Sequence, residues 1–262
     1  MIEVKDLTKE FPLSKKQQAE AGIKHNHLKV LHEISFQCTP GRIFSLLGPN
    51  GAGKTTTLRI ISTILKPTSG TVTLGGVDVE THPSQARARI GFLTGTTGLY
   101  ERLTPQEMVA YFARLNNMPR PLMEQRREEL FDMLQMHDFA KKPIGKLSTG
   151  MRQKVNIART MIHDPEIVVF DEPTAGLDVI AANSIIELIR NCKEQGKTVI
   201  FSSHIMSEVD LLCDDLAIIH KGRILYNDTM ETFRSNMMTD NLTEEFIRIV
   251  TQKETNANIL TV

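Results

Sequence analysis

The sequence predicts an α/β fold, and three stretches carry that expectation. Residues 43–47 (IFSLL) run straight into a glycine-rich segment and then a helix start at Lys54. A second apolar run, residues 167–170, ends in two adjacent carboxylates, and a third, residues 198–202, ends just ahead of a histidine. Short apolar runs bounded by turn signals are the pattern of strands buried on both faces. Functional groups in open α/β sheets gather at the carboxyl ends of such strands.

The segment after the first run is Gly48-Pro49-Asn50-Gly51-Ala52-Gly53, followed by Lys54, Thr55 and Thr56. Its spacing fits a phosphate loop, in which glycines let backbone N–H groups close around a polyphosphate. The anion then also lies at the positive end of the new helix. Lys54 would set a compact cation on the outer phosphates, and the Thr55 hydroxyl would help hold a magnesium ion. A glycine turn carrying a lysine by chance is the bland alternative; it does not explain the strand before or the helix after. The expectation is a site for a nucleoside triphosphate.

A chain of 262 residues can bury a substantial core as one unit with subdomains. Lysine plus arginine number 31 and aspartate plus glutamate number 31, so no net charge draws the chain onto nucleic acid or an anionic membrane. Cys38, Cys192 and Cys213 are widely spaced and in no CxxC pattern, which argues against a disulfide framework or a zinc site and for a reducing compartment. No signal peptide opens the sequence, and no apolar run approaches the roughly 20 residues needed to cross a bilayer. If the chain works on a membrane, another polypeptide is expected to span it.

Residues 1–7 and 29–38 read as strands, and residues 69–75 (SGTVTLG) as a strand bounded by glycines, which together predict an antiparallel sheet beside the main one. Residues 12–27 are polar and without periodicity, an exposed loop or frayed helix. Within them, His25 and His27 are either solvated or a metal-binding pair. Phe11 is either a core residue or a platform for stacking a base. Past a short buried strand at 90–93 and a hydroxyl-rich turn at 94–98, Thr104-Pro105-Gln106-Glu107 reads as a capping box with proline at the first helical position. Met123, Leu130, Met133 and Leu134 recur at helical spacing, which predicts a helical lobe over about 100–140 that packs through these side chains. Ser148 or Thr149 would cap a helix bearing Met151, Val155, Ala158 and Ile162.

Asp171 and Glu172 end a buried strand, where unpaired charge has no packing use and is costly to bury. Asp171 would reach magnesium, directly or through water, and Glu172 would stand where an attacking water must lose a proton. His204 is either a helix cap or a third group aimed at the same crevice.

In this order the motifs resemble one family, the ATP-binding subunits of ABC transporters, over most of the chain. GPNGAGKTT resembles its phosphate loop, LSTGM its signature, IVVFDEP its magnesium and catalytic-glutamate strand, residues 175–178 (AGLD) its dimer-contact loop, and His204 its switch histidine. Small GTPases, kinases and recombination ATPases share a phosphate loop but not LSTGM ahead of an acidic strand, and there is no NKxD-like segment to select guanine. The resemblance implies a phosphate-loop α/β core with an antiparallel β subdomain and a helical subdomain at about 95–162, together spanning 1–235, followed by a helical tail at 236–262. It also implies that ATP and Mg2+ are bound and that ATP is hydrolysed. Two copies would form a head-to-tail homodimer, with ATP held by one phosphate loop and closed over by Ser148, Gly150 and Met151 of the other copy. Phe11 would stack the adenine, Glu172 polarise the water, and His204 hold γ-phosphate and water in line. A separate integral membrane permease would place the chain at the cytoplasmic face of the cell membrane.

Two positions depart from the family pattern. The glutamine usual after the 90–93 strand falls on Gly95, which has no amide to offer, so that role is not carried over. LSTGM has threonine and methionine where glycine and glutamine are usual, while Ser148 and Gly150 are retained. TGLYERLT and the tail NLTEEFIRIV, with Leu242, Phe246, Ile249 and Val250 on one face, are similar to ATPases of two-component exporters, including a sodium-extruding type. The competing expectation is a soluble ATPase of the same type acting on nucleic acid or ribosomes. One cassette, balanced charge and no heptad run speak against it, and no nucleic-acid partner is expected.

Overall fold

The computed structural model describes residues 1–16, 18, 26–94 and 98–259, with side chains through 252. The core is a six-stranded sheet. Its strands are β3 (Ile43–Leu47), β6 (Ile90–Thr94), β7 (Ile167–Asp171), β8 (Thr198–Ser203), β9 (Asp215–His220) and β10 (Arg223–Thr229), in the order β10-β9-β3-β8-β7-β6. All pairs are parallel except the β9–β10 hairpin.

Side chains alternate across a strand, and each inner strand therefore feeds two packing layers. Ile43, Leu47, Val168, Phe170, Val199 and Phe201 join one hydrophobic cluster. Phe44, Leu46, Ile167, Val169 and Ile200 join the other. The second cluster lies under an antiparallel sheet of β1 (Ile2–Pro12), β2 (His27–Cys38), β4 (Ser69–Leu74) and β5 (Val77–Asp78), in the order β2-β1-β4-β5. Phe36 of β2 stacks on Phe44 with ring centroids 5.0 Å apart. Helix α1 (Lys54–Ile61) fills the space between, through buried Leu58, Ile60 and Ile61. After α2 (Pro83–Arg89), the first cluster is closed by α3 (Pro105–Leu115), α4 (Arg120–Met133), α5 (Thr149–Met161) and α6 (Val179–Glu194). The chain ends through α7 (Met206–Leu212), α8 (Met230–Ser235) and α9 (Leu242–Ile259).

Ile43–Leu47 and the helix start at Lys54 fall where the sequence puts them, and the capping box is formed. Thr104 Oγ1 accepts from Glu107 N at 3.3 Å, and Glu107 Oε2 accepts from Thr104 N at 2.8 Å. Four expectations change. β1 runs to Pro12 rather than ending near residue 7, because register shifts against β2 between Val4 and Glu10 break the alternation that marks a strand. β2 begins at His27, so His27 and Phe11 are strand residues. Met133 is not a packing residue: it is 45% exposed, and Phe131, 2% exposed, takes the inward position with Leu130 and Leu134. The tail's apolar face, with Leu242, Phe246 and Ile249 against the core, also carries a buried carboxylate, Glu245. Arg248 binds it, and Met238 N donates to it at 3.0 Å.

Gly95 and its neighbours at 96–97, and residues 17 and 19–25 of the 12–27 segment, His25 among them, lie outside the described residues. His27 Nδ1 lies 2.9 Å from Asn26 Oδ1 on the surface. All three cysteines are buried and free; burial pushes the Cys38 thiol well up and those of Cys192 and Cys213 to about 12. Among the described residues no helix is long and apolar enough to cross a membrane.

Candidate nucleotide site

The parallel register brings the loop after β3, the end of β7 and the end of β8 to one edge: Leu47 pairs with Ser203 and Asp171 with Ser202. The loop is fixed there by close contacts that leave no room for a side chain at Gly48 or Gly53. Gly48 N donates to Ser203 O at 3.3 Å, and a Cβ on Gly48 would stand 2.2 Å from Ile219 O. Gly53 has φ +110°, and a Cβ on it would stand 2.6 Å from Leu31 Cδ2. Gly222 of the β9–β10 turn donates to Ala52 O at 2.9 Å and accepts from His32 N at 2.8 Å. Because Gly53 gives α1 no side-chain cap, the first-turn amides are left for an anion.

Lys54 and the residues at the ends of β7 and β8 converge on this edge. The Lys54 ammonium, 4% exposed, donates to Gly48 O at 2.7 Å and Pro49 O at 3.1 Å and lies 3.3 Å from Glu172 Oε1. On the same carboxylate oxygen, His204 Nδ1 lies at 3.2 Å. Thr55 Oγ1 donates to Asp171 Oδ1 at 3.0 Å. Glu172 itself has φ +47°, a left-handed conformation unusual for its type, and its amide donates to Ser202 Oγ at 3.0 Å. Ser202 in turn donates to Asp171 Oδ1 at 2.8 Å.

Ser202 thus positions both acids, a role its place in an apolar run does not betray. Glu208 is a second residue the sequence reading missed. It accepts from Ser203 Oγ at 2.9 Å and from Thr174 Oγ1, which ties the end of β8 and the segment after β7 to α7.

The other anticipated residues lie apart from this cluster. Phe11 is half-buried opposite Leu28, with the Lys9 ammonium 5.0 Å over its ring. Ser148 is the cap of α5 and accepts from Met151 N at 3.3 Å. Ser148 and Thr149 are exposed, and Gly150 faces the first turn of α6, where a Cβ on Gly150 would meet Ala181 Cβ at 3.8 Å. Among the described residues no hydrogen bond or ion pair joins residues 148–151 to the phosphate loop. Asp178 caps α6 by accepting from Ala181 N at 2.9 Å, and the next two side chains, Val179 and Ile180, are 86% and 82% exposed.

A glycine cradle at a helix start, a buried lysine, and a strand ending in two acids beside a histidine define a phosphate-loop nucleoside triphosphatase. Comparison with known proteins narrows the class. A family profile described as ABC transporter matches residues 31–175. The chain is 41% identical over 225 residues to the ABC transporter ATP-binding protein NatA of Bacillus subtilis, covering 86% of this chain and 92% of that protein. It is 34% identical over 213 residues to the linearmycin resistance ATP-binding protein LnrL of the same organism, covering 81% and 68%. With the Nod factor export ATP-binding protein I of Ralstonia nicotianae it shares 37% over 200 residues, covering 76% and 62%. Among solved structures, an ATP-binding subunit of an ABC transporter superposes with a TM-score of 0.82 at 26% identity, covering 95% of this chain and 99% of that one. A dimeric post-hydrolysis ATP-binding cassette bound to ADP and Pi matches in fold, with a TM-score of 0.76 at 24% identity and coverage of 88% and 99%. The chain belongs to the ATP-binding proteins of ABC transporters. It is an ATP-binding, ATP-hydrolysing cassette, and the reading as an ATPase acting on nucleic acid or ribosomes is not supported.

Proposed function

We propose that the chain powers a separate membrane permease by closing and opening a head-to-tail homodimer around ATP. The observation that carries this is the division of the site: Lys54, Thr55, Asp171, Glu172 and His204 converge in one bonded cluster, while among the described residues no hydrogen bond or ion pair joins Ser148, Gly150 and Met151 to it, and Ser148 is exposed. A signature whose exposed Ser148 bonds only within its own helix start among the described residues fits a role on the phosphate of a second copy. The exposed Val179 and Ile180 beside it supply apolar area for the same contact.

Residues 48–56 cradle the phosphates, with Lys54 exchanging its Glu172 contact for phosphate oxygens, and Phe11 stacks the adenine through the ring face not covered by Lys9. Thr55 Oγ1 and Asp171, both hard oxygen donors on the loop's edge, fit Mg2+. No cluster of three or more His, Cys, Asp or Glu occurs among the described residues, in keeping with an ion held by one carboxylate, a hydroxyl and substrate phosphates. Once bound, Mg2+ would neutralise charge developing on the β- and γ-oxygens. Glu172 takes the proton of the attacking water, and His204, already on the Glu172 carboxylate, keeps water and γ-phosphate in line.

The working unit is an ATPase domain at 1–235, with its helical subdomain at about 95–162 transmitting the motion, and a tail at 236–262. It sits at the cytoplasmic face of the membrane through the permease. Names of the relatives, Nod factor export and linearmycin resistance, support export as the direction, with sodium or drug-type cargo as the proposed class.

Glu172→Gln tests the assignment. It is expected to keep ATP affinity, slow hydrolysis by about 10²–10⁴-fold, and accumulate an ATP-bound dimer by size-exclusion chromatography. Undiminished turnover would refute it.

A further inference from the structure

Glu172 and His204 stand on different strand ends: one is the first residue past β7, the other the first past β8. They meet where His204 Nδ1 lies 3.2 Å from Glu172 Oε1, and the His204 side chain is 42% exposed. A contact so open to water is worth little by itself. Its geometry holds only if the backbone under each side chain is fixed by other groups.

Glu208 of α7 does this for both. Its Oε2 accepts from Ser203 Oγ at 2.9 Å, and its Oε1 accepts from Thr174 Oγ1. Ser203 immediately precedes His204, and its hydroxyl also accepts from Ile205 N at 2.9 Å, so the turn that presents the histidine closes on that one oxygen. The hydroxyl has a single proton, which goes to Glu208 rather than to Ile205 O at 3.5 Å. Thr174 is buried two residues past Glu172, in a turn where Ala175 N donates to Glu172 O at 3.2 Å. Two hydroxyls from separate segments thus share one carboxylate, and hydrogen bonds to an ionised acceptor are about twice as strong as neutral ones.

The helix that carries Glu208 is held from outside the nucleotide edge. Val209 and Leu212 are buried in the first hydrophobic cluster. On the other side Arg234 of α8 donates to Asp210 Oδ1 at 2.6 Å and to Asp210 O at 2.9 Å. Among the described residues no hydrogen bond or ion pair joins Glu208 to Lys54, Asp171, Glu172 or His204.

We propose that Glu208 is a positioning residue for ATP hydrolysis: by holding Thr174 and Ser203 on its two oxygens, it sets the spacing between the Glu172 carboxylate and the His204 imidazole. The inference rests on the reading of those two residues as the groups that take the proton of water and keep it in line with the γ-phosphate. Misplacing a reacting group by about 1 Å costs about 10²-fold in rate. The phosphate loop, fixed by its own contacts, keeps its hold on ATP meanwhile.

Steady-state hydrolysis by the purified full chain tests this. Glu208→Ala should lower kcat about 10²-fold and leave the KM for ATP unchanged. Glu208→Gln, which keeps one carbonyl oxygen as acceptor, should recover about tenfold of that loss, the scale of one hydrogen bond. Ser203→Ala and Thr174→Val each remove one arm of the brace and should each lower kcat about tenfold; they decide the matter if a thermal melt shows that Glu208→Ala does not fold. In a His204→Ala background, followed by single-turnover hydrolysis, Glu208→Ala should cost nothing further, because a spacing has no meaning with one member gone.

Undiminished kcat in the folded Glu208→Ala protein, a KM that rises in step with the fall in kcat, or a full second loss on top of His204→Ala overturns the proposal. Where Glu172→Gln and His204→Ala are nonetheless slow, the catalytic reading of those two residues stands without it. Normal turnover in either of those variants removes that reading, and the proposal with it.

Discussion

The phosphate loop and the signature are both glycine-containing helix starts, yet they are built oppositely. At Gly48–Lys54 the backbone is locked by Ser203, Ile219, Leu31 and Gly222, and the helix has no cap of its own. At Ser148–Met151 the helix is capped by its own serine, its leading residues are exposed, and Gly150 has an ordinary van der Waals neighbour. The first is shaped to receive an anion within the chain. The second is already satisfied within the chain, so any phosphate it meets must come to it and replace the Ser148–Met151 contact. Changes at the two should therefore fail in different ways.

The largest effect is expected at Gly48. Gly48→Ala forces a Cβ against a backbone carbonyl, so the loop must move; overpacking of this kind costs about 1–3 kcal/mol. Monomeric ATP binding, measured by equilibrium titration, should be lost. Retained affinity would mean the loop tolerates displacement and the comparison is drawn too sharply.

Ser148→Ala should leave ATP binding to a single chain nearly untouched while weakening the ATP-dependent dimer by about 1.5–3 kcal/mol, the scale of a hydrogen bond to a charged group. The cap lost with it removes about 1 kcal/mol of folding stability, which a thermal melt reads separately. Equal loss of monomer binding would break the division between the two starts.

A smaller effect is expected from Ile180→Glu. The side chain is exposed, so the folded chain should melt as before while dimerisation weakens by about 1.5–3 kcal/mol of lost apolar burial. Sedimentation with ATP checks it; an unchanged dimer would move the contact off this face. The smallest effect is expected from Gly95→Gln, which restores the family's usual residue: ATP affinity should not change, and a large loss would give Gly95 a part in the site.

How far the sequence reveals this molecule depends on which force set each residue. Buried parallel strands are legible because both faces demand apolar side chains, and Ile43–Leu47 emerges with its true limits. The phosphate loop is legible because close backbone approach at Gly48, and a left-handed φ against the Leu31 side chain at Gly53, admit only glycine. β1 is only half legible, since its register shifts interrupt the period of two. Met133 misleads because the helical phase at the end of α4 turns Phe131 inward. Ser202 and Glu208 hide because their importance is relational: each becomes visible only when strands distant in sequence lie side by side. The same holds for Glu245, an acid among apolar neighbours whose partners come from its own helix and the turn before it.

β7 has side chains anchored alternately in two separate hydrophobic layers, one on each side of the sheet. Such a strand is a rod clamped from above and below: it cannot slide or rotate without tearing packing on both sides at once. Its terminal acids therefore keep a fixed address, and a stimulus has little leverage for nudging one carboxylate alone. Control over turnover is better exerted by what arrives opposite that address, which makes timing a matter of approach rather than of rearrangement.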